Sequence, residues 1–413
     1  MSKVLITSFS LVPSSLLHCF GKDKRDASHN PPGGLTADQV PMFVSFGFDD
    51  NGYSGLEGSG GTGGVKFVLD IFNSRKNPAG KGNAKTYDGT QVLTTFYLKA
   101  NNIDKNSLEN NTLLKKVWRQ AMENGNEVGV HTYAHKHGVE IDWDNMVKND
   151  IFKVADWVKE INLCIEWLTK PYDPDVQQDD SSKGIGVKKS DLIGFRTPFL
   201  EYNDDTFRAI KKTGLIYDCS IEEGWQEDQD GRNFLWPYTL DNGSPGEACT
   251  AEIDFGHKPY VGKHPGLWEL PSYAVIVPPD ELCKKYGVKK GFRDRMFKKQ
   301  SYFNTNDGKV TGLDWNLWFE WYMTKAEFLA TLKYTLDLRL EGNRCPLFFG
   351  VHSDIYSNKY EENDIEEGTP VNATIQERRA ALKEFLGYAL TKPQVRVTSM
   401  KNILNWLKNP LAL

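Results

Sequence analysis

The chain has 413 residues, of which 39% are hydrophobic and 25% charged, a balance typical of a water-soluble globular protein. With 50 basic and 55 acidic side chains the formal net charge is −5, so the chain lacks the basic excess that binding to a nucleic-acid backbone requires. After the first twenty positions no apolar run reaches about 18 residues, which excludes a transmembrane helix from the body of the chain. Nothing in the sequence indicates an oligomeric state.

The first twenty residues combine Lys3 with a mostly apolar run that several serines interrupt. This pattern resembles a weak secretory signal and predicts a secreted or periplasmic protein. We expect residues 21–40 to be an N-terminal extension and residues 41–413 to form one domain, with irregular loop insertions at about 172–189 and 223–263. Six cysteines are too few for a disulfide scaffold and none has CxxC spacing, although one or two disulfides remain an open alternative.

Apolar, β-branched runs alternate with helical patterns along the chain, which predicts βαβ units around a mostly parallel sheet. The runs that predict strands are 42–48, 92–98, 127–130, 192–195, 216–220, 267–271, 346–351 and 395–398. The patterns that predict helices are 65–72, 112–124, 145–168, 324–340 and 375–390. Thr324 and Glu327 form a capping-box pair at the start of the fourth predicted helix.

Five of these strand-like runs contain or precede side chains that can do chemistry. They are Asp49 and Asp50 after the first run, His131 after the third, Arg196 after the fourth, Trp268 and Glu269 within the sixth, and His352 after the seventh. Because the carboxyl ends of parallel strands open on one face of an α/β barrel, we expect these residues to meet although they are remote in sequence.

Two histidines and an aspartate form a candidate metal site. His131 and His135 are four residues apart, close enough to share a cation, although His137 competes with His135 for this role. Asp49-Asp50 is the only Asp-Asp pair that closes an apolar strand. One carboxylate beside two imidazoles is typical of a hydrolytic metal site with an open position for water, and the second aspartate then acts as a base. The alternative interpretation is a hydrogen-bonded pair of structural histidines.

Five ordered motifs resemble those of the polysaccharide deacetylases, carbohydrate esterase family four, which have NodB homology. The motifs are Phe48-Asp49-Asp50-Asn51, His131-Thr132-Tyr133-Ala134-His135, Arg196-Thr197-Pro198-Phe199, Trp268-Glu269-Leu270-Pro271 and Gly350-Val351-His352. The resemblance spans roughly residues 40 to 400. Segments 236–241 and 343–347 look most like the insect-type chitin deacetylases. The resemblance implies a distorted (β/α)7-8 barrel, similar to a TIM barrel, and a catalytic domain over residues 41–413.

The resemblance also implies a metal-dependent hydrolase that removes N-acetyl groups from a chitin-like N-acetylglucosamine polymer or oligomer and releases acetate. By resemblance, Asp50, His131 and His135 bind a divalent cation, most often Zn²⁺, with Co²⁺, Ni²⁺ and Mn²⁺ as alternatives. The implied catalytic residues are Asp49 as general base, Arg196 as the partner that holds Asp49, His352 as the acid that protonates the departing amine, and the backbone N–H of Phe199 as an oxyanion donor.

Two departures from the family pattern affect the site. Asn51 stands where many relatives have glycine, and the fourth motif contains Trp268-Glu269 in place of an Asp-centred form. The acidic partner of His352 is therefore open, with Glu269, Asp354 and Asp218 as candidates. We expect Trp268, Glu269 and Trp236 to contact substrate. Trp315, Trp318, Trp321 and Tyr322 are further candidates for sugar stacking, although core packing is the stronger interpretation for most of them.

Three alternatives to an N-deacetylase remain. Gly58 to Gly63 matches the GxGxxG pattern of dinucleotide-binding oxidoreductases, but nine residues separate it from the strand end and the next strand lacks the expected acidic residue. A barrel of this kind also serves as a carbohydrate-binding protein if turnover is lost. Within the enzyme class, the same metal chemistry suits an esterase acting on acetylated xylan or an amidase acting on another substrate.

Overall fold

A computed structural model describes residues 23–104, 109–142, 145–176, 180–256, 260–363, 365 and 371–413. The predicted signal segment, residues 1–20, lies outside the described residues, and its assignment stays a prediction. Among the described residues no helix combines the length and the apolar character that crossing a membrane requires.

The strands and helices alternate through most of the described chain. The strands are β1 Met42–Asp49, β2 Thr95–Leu98, β3 Glu127–Val130, β4 Val139–Asp142, β5 Val147–Asp150, β6 Gly194–Phe195, β7 Tyr217–Asp218, β8 Glu222–Glu223, β9 Tyr238–Thr239, β10 Trp268–Glu269, β11 Ser272–Tyr273, β12 Val275–Ile276, β13 Lys309–Val310, β14 Leu347–His352 and β15 Val395–Val397. The α-helices are α1 Gly64–Phe72, α2 Asn111–Glu123, α3 Val154–Thr169, α4 Asp204–Thr213, α5 Pro245–Phe255, α6 Asp280–Cys283, α7 Phe292–Lys299, α8 Lys325–Glu341, α9 Asn358–Asn363, α10 Ile375–Leu390 and α11 Met400–Lys408.

The main sheet has the strand order β14-β1-β2-β3-β6-β7-β10-β9, and β15 also pairs with β1. Every pairing in this sheet is parallel except that of β9 with β10. Helices α1, α2, α3 and α4 connect successive parallel strands, as expected of βαβ units. The carboxyl ends of β1, β3, β6 and β14 therefore open on one face.

The sheet continues beyond β14 through an irregular segment. Leu313 forms a parallel bridge with Gly350, and the Gly350 N–H donates to the carbonyl oxygen of Gly312 at 2.9 Å. A side chain at position 312 would collide with the backbone carbonyl of Tyr273 in β11, so this segment is packed directly between β14 and β11. The predicted distorted α/β barrel is confirmed, with its distortion concentrated between β10 and β14.

The first strand shows how the barrel divides its two faces. Phe46 and Phe48 point outward and pack edge-to-face against Phe72 of α1. Gly47 and Asp49 alternate with them and face the barrel interior, where the Arg196 guanidinium crosses. A Cβ at Gly47 would lie 3.0 Å from both Nη atoms of Arg196, so a side chain here would require the guanidinium to shift by a few tenths of an ångström.

Two expectations for the chain outside the barrel strands are wrong. The predicted helix over 145–168 begins only at Val154, because residues 147–150 pair with Val139–Asp142 as an antiparallel hairpin. The predicted irregular insertion at 223–263 contains helix α5, whose N-cap Ser244 accepts a hydrogen bond from the Glu247 N–H at 3.1 Å. The five described cysteines, Cys164, Cys219, Cys249, Cys283 and Cys345, are all free thiols.

Candidate active site

The aspartate and the two histidines predicted as metal ligands come together at the mouth of the barrel. Nε2 of His135 lies 3.4 Å from Oδ1 of Asp50, and Nε2 of His131 lies 4.0 Å from the same oxygen. One ligand atom from each of the three side chains lies within 4.8 Å of the others. Asp50 Oδ1 is buried and has no hydrogen-bond partner among the described residues. The three donors thus converge on a small space that suits a single cation.

The surroundings of the two imidazoles keep them available as neutral ligands. Nδ1 of His131 donates to the backbone carbonyl of Arg196 at 2.8 Å, which leaves Nε2 facing Asp50. Burial lowers the pKa of His131 to about 3, and burial likewise lowers the pKa of His135. Burial alone would raise the pKa of Asp50, but His135, Lys99 and His131 outweigh it and hold that pKa below its usual range.

Left-handed backbone conformations cluster around these ligands. Asp50 and Asn51 both have φ of 63°, and His135 has φ of 53°. Such values are strained for most residues with a side chain, but asparagine tolerates them nearly as well as glycine does. Asn51 is also anchored, because its Nδ2 donates to the Phe48 and Tyr97 carbonyls at 2.8 and 3.1 Å. The replacement of glycine by asparagine therefore keeps the turn that aims Asp50.

Asp49 is paired with a buried arginine. Nη1 of Arg196 donates to Oδ1 and Oδ2 of Asp49 at 2.9 and 3.2 Å, and both side chains are almost fully buried. The Arg196 guanidinium also packs over the Tyr97 ring, with its central carbon 4.7 Å from the ring centroid. Burial raises the pKa of Asp49 to about 6, although Arg196 acts to lower it. Asp49 is thus ionised above this pH and oriented by a fixed cation.

The acidic partner of His352 is Asp314, which sequence reasoning did not propose. Nδ1 of His352 donates to Oδ1 of Asp314 at 2.8 Å, and the His352 backbone N–H donates to Oδ2 at 3.2 Å. Burial alone would lower the pKa of His352, but the hydrogen bond and charge of Asp314 outweigh it and raise the pKa to about 9. His352 is therefore a cation at neutral pH.

The three predicted partners of His352 have other contacts, so those candidates are wrong. Asp354 accepts the Gly52 and Tyr53 N–H groups at 2.9 and 3.2 Å. Asp218 accepts the hydroxyl of Ser220 at 2.9 Å. Glu269 lies beside Asp218 on the neighbouring strand, and burial raises its pKa well above the usual value. The fourth motif has Trp268-Glu269 in place of an aspartate, and the aspartate that pairs with His352 is Asp314, from a different segment of the chain.

A cavity of about 620 Å³ opens directly above these groups. Two exposed rings stand on its wall: Phe199 is 52% exposed and Trp315 is 45% exposed. The Phe199 ring packs edge-to-face on His135, with centroids 4.5 Å apart, and stacks on His137 at 3.9 Å. Trp315 follows Asp314 directly, so the same segment supplies the partner of His352 and part of the cavity wall.

The residues predicted to contact substrate lie elsewhere. Trp268, Glu269 and Trp236 are 3%, 0% and 0% exposed, and none of them lines the cavity. Both β10 residues belong to a two-residue strand between β7 and β9, which covers them. Trp236 packs near Trp406, with ring centroids 6.1 Å apart. In this structure these three side chains have no access to a ligand in the cavity.

The remaining tryptophan and histidine candidates differ in whether they reach the cavity or the candidate metal site. Trp318 and Trp321 are buried, as core packing predicts, whereas Trp315 reaches the cavity. His137 does not join Asp50, because its Nδ1 lies 2.9 Å from Oε2 of Glu201. His264 is buried and hydrogen-bonded to Asp204 at 2.7 Å, away from the candidate metal site.

Comparisons with known proteins agree with this geometry. Residues 84–217 match the family model described as polysaccharide deacetylase. This segment contains His131, His135, Arg196 and Phe199. Chitin deacetylase 8 of Bombyx mori is 23% identical over 396 residues, covering 96% of this chain and 78% of that protein.

Solved structures of polysaccharide deacetylases and carbohydrate esterases are also similar to the chain. One from Mycobacterium smegmatis, assigned to the polysaccharide deacetylases, is 16% identical and covers 94% of this chain and 98% of its own, with a TM-score of 0.44. A family 4 carbohydrate esterase from Streptomyces lividans, in complex with acetate, is 17% identical and covers 44% of this chain and 64% of its own, with a TM-score of 0.25.

The fold and the site define an α/β barrel with a candidate Asp-His-His metal centre beside an Arg-held aspartate. Its resemblance to the polysaccharide deacetylases is confirmed: residues 84–217 match that family model, and the chain is similar to an insect chitin deacetylase.

Proposed function

We propose that the protein is a metal-dependent deacetylase that removes N-acetyl groups from an N-acetylglucosamine-containing polysaccharide or oligosaccharide. The observation that carries this proposal is the convergence of Asp50, His131 and His135 beside a second aspartate that is paired with Arg196. Water adds to the acetyl carbonyl carbon, the C–N bond breaks, and the products are acetate and a free amine. Action on such a polymer fits the secreted or periplasmic location predicted from residues 1–20.

The donor set fits a divalent cation such as Zn²⁺. Asp50 Oδ1 is a buried acceptor without a partner among the described residues, and both imidazoles are neutral at physiological pH. Two nitrogens and one carboxylate oxygen are a common catalytic zinc set, which leaves room for water or substrate. A bound cation of this kind lowers the pKa of water and polarises a carbonyl oxygen.

Asp49 and His352 are suited to move the two protons that the reaction requires. Asp49 is ionised at neutral pH and fixed by Arg196, so its carboxylate accepts the proton of the attacking water. His352 is protonated at neutral pH and paired with Asp314, so it donates a proton to the departing nitrogen. The Phe199 backbone N–H is proposed to donate to the carbonyl oxygen as negative charge develops there.

Acetate release tests the proposal directly. N-acetylglucosamine oligomers, acetylxylan and peptidoglycan fragments are compared with and without a strong chelator, and with Zn²⁺ added back. We expect release from the N-acetylglucosamine oligomers that the chelator abolishes and Zn²⁺ restores. An unchanged rate after chelation would contradict the metal centre. Preferential release from acetylxylan would identify an esterase that uses the same site.

The Asp49→Asn variant separates an enzyme from a carbohydrate-binding barrel without turnover. We expect wild-type oligomer binding and strongly reduced acetate release in this variant. Equal acetate release in the variant and the wild type would contradict the role of Asp49.

A further inference from the structure

The proposed reaction leaves several polar side chains of the cavity wall without a role. Among the described residues that line the cavity, three carry a buried oxygen without a hydrogen-bond partner: Oδ1 of Asp50, Oγ1 of Thr197 and Oε1 of Glu222. The proposed cation accounts for Asp50. A buried polar atom without a partner costs more than the average hydrogen bond contributes, so the two remaining oxygens point to a ligand.

Thr197 is fixed in place, but its hydroxyl is not committed to the protein. Its backbone N–H donates to Oγ of Ser220 at 2.8 Å, and that hydroxyl in turn donates to Oδ1 of Asp218 at 2.9 Å. Ser220 also lines the cavity, but its hydroxyl is therefore occupied. Thr197 is only 1% exposed and lies between Arg196 and Pro198, next to the catalytic centre. Of the Thr197 and Ser220 hydroxyls, only that of Thr197 has no hydrogen-bond partner among the described residues.

Glu222 extends the same wall away from the catalytic centre. It lies two residues after Ser220 and is the first residue of the two-residue strand β8. Its partner strand is β11, where Ser272 lies in register with it. Asp254 also lines the cavity. Burial raises the pKa of Glu222 to about 7, although the Thr311 and Trp225 side chains hydrogen-bond to its carboxyl and act to lower that pKa. Glu222 is thus a half-buried acceptor on the cavity wall, and its Oε1 has no partner of normal hydrogen-bond geometry among the described residues.

We propose that Thr197 and Glu222 hydrogen-bond hydroxyl groups of the sugar chain and so select a carbohydrate over a small acetyl compound. This inference rests on the proposed function, because it assigns these residues to the substrate of the same site. A threonine hydroxyl donates and accepts, and a carboxylate accepts, which matches the alternating donors and acceptors of a pyranose. Phe199 and Trp315 supply the apolar surfaces against which sugar rings pack.

The Thr197→Val variant tests the first contact, because valine keeps the shape and removes the hydroxyl. Loss of one neutral hydrogen bond corresponds to a roughly three- to tenfold change in binding. We expect the ratio of kcat/KM for an N-acetylglucosamine tetramer to that for a small aryl acetate to fall by about this factor, mainly through KM. Thr197→Ser, which keeps the hydroxyl, should restore most of the ratio. An unchanged ratio in Thr197→Val overturns the inference.

Thr250 offers a matched control on the same wall. It lines the cavity, but its hydroxyl already donates to the Glu247 carbonyl at 3.2 Å. We therefore expect Thr250→Val to leave the selectivity ratio at the wild-type value. A fall equal to that of Thr197→Val would show that any cavity-wall change has this effect and would overturn the specific role of Thr197.

Glu222 is tested by a pair of variants of similar volume. Glu222→Met removes both side-chain oxygens, whereas Glu222→Gln keeps one acceptor without the charge. We expect Glu222→Met to weaken tetramer binding by about three- to tenfold and Glu222→Gln to retain most of it. Equal binding by Glu222→Met and the wild type overturns the role of Glu222.

Calorimetric binding of the tetramer to the Zn²⁺-supplemented full chain distinguishes this inference from the proposed function. If the wild type binds the tetramer but releases no acetate, the deacetylase proposal fails, and weaker binding by Thr197→Val still supports the hydroxyl contact. If acetate is released and Thr197→Val binds the tetramer as the wild type does, the deacetylase proposal stands and the hydroxyl contact is refuted.

Discussion

Replacing Asp314 by asparagine should move the pH range over which the proposed deacetylase works. Asp314 is fully buried and bonds to His352 through the ring and through the backbone N–H. The Asp314→Asn variant keeps the size of the side chain and removes the charge that stabilises the imidazolium. His352 must be protonated to donate its proton, so the variant should lose activity selectively at high pH.

The magnitude follows from the pKa of His352, which is raised from 6.5 to about 9. This difference corresponds to about 3 kcal/mol of preference for the protonated form. Burial opposes protonation, and Asp49 and Asp50 supply part of the favourable interaction. If Asp314 accounts for the whole net shift, the protonated fraction at pH 8 falls about thirtyfold, whereas at pH 6 it changes by less than a factor of about two. We expect a shift of at least one pH unit in the basic limb.

The pH dependence of kcat/KM for acetate release, with the same added metal for both proteins, measures this shift. Asp354→Asn serves as the control, because Asp354 is also buried near the site but accepts backbone N–H groups in place of the His352 ring. We expect its basic limb to stay at the wild-type position even if the rate changes. A basic limb that does not move in Asp314→Asn would refute either the pairing or the role of His352 as the acid.

Three further changes probe the site. His135→Ala should abolish stoichiometric binding of Zn²⁺, measured by calorimetry, because it removes one of three ligands; retained tight binding would contradict the centre. Asp49→Asn should lower kcat by about 10²- to 10⁴-fold while the bound metal, measured by elemental analysis, is unchanged. Arg196→Met should lower the free energy of unfolding in urea by about 3–5 kcal/mol, because it leaves the Asp49 charge buried without its partner, and a loss below about 1 kcal/mol would refute that reasoning.

The sequence patterns predicted the barrel strands well because burial on both faces produces continuous apolar runs. Glu127–Val130 matches its predicted limits, and Met42–Asp49 differs from its prediction by one residue. The sequence also predicted the start of a helix where the two capping side chains lie within a few residues of each other. Thr324 accepts the N–H of Glu327, and the Glu327 carboxylate accepts the N–H of Thr324, as the predicted capping box requires.

Two features escaped sequence reasoning for different physical reasons. The helical pattern over 145–168 overruns the hairpin because Met146 adopts φ of 53° in its turn, a conformation that residue type does not signal. Asp314 escaped because Leu313 joins the sheet through an isolated bridge to Gly350. A bridge of a single residue pair leaves no periodic pattern in the sequence. The pairing that brings Asp314 to His352 therefore depends on contacts between segments distant in sequence.

The substrate-contact prediction shows where motif order alone misleads. Trp268 and Glu269 occupy the expected place along the chain, but β10 is enclosed by neighbouring strands, and Trp315 provides an exposed ring on the cavity wall. The three candidate metal ligands do lie together, as expected of residues that follow strands of one parallel sheet. Position at a strand end fixes where a residue lies, whereas access to the cavity depends on what packs over it. The first is encoded locally, and the second emerges only from the assembled barrel.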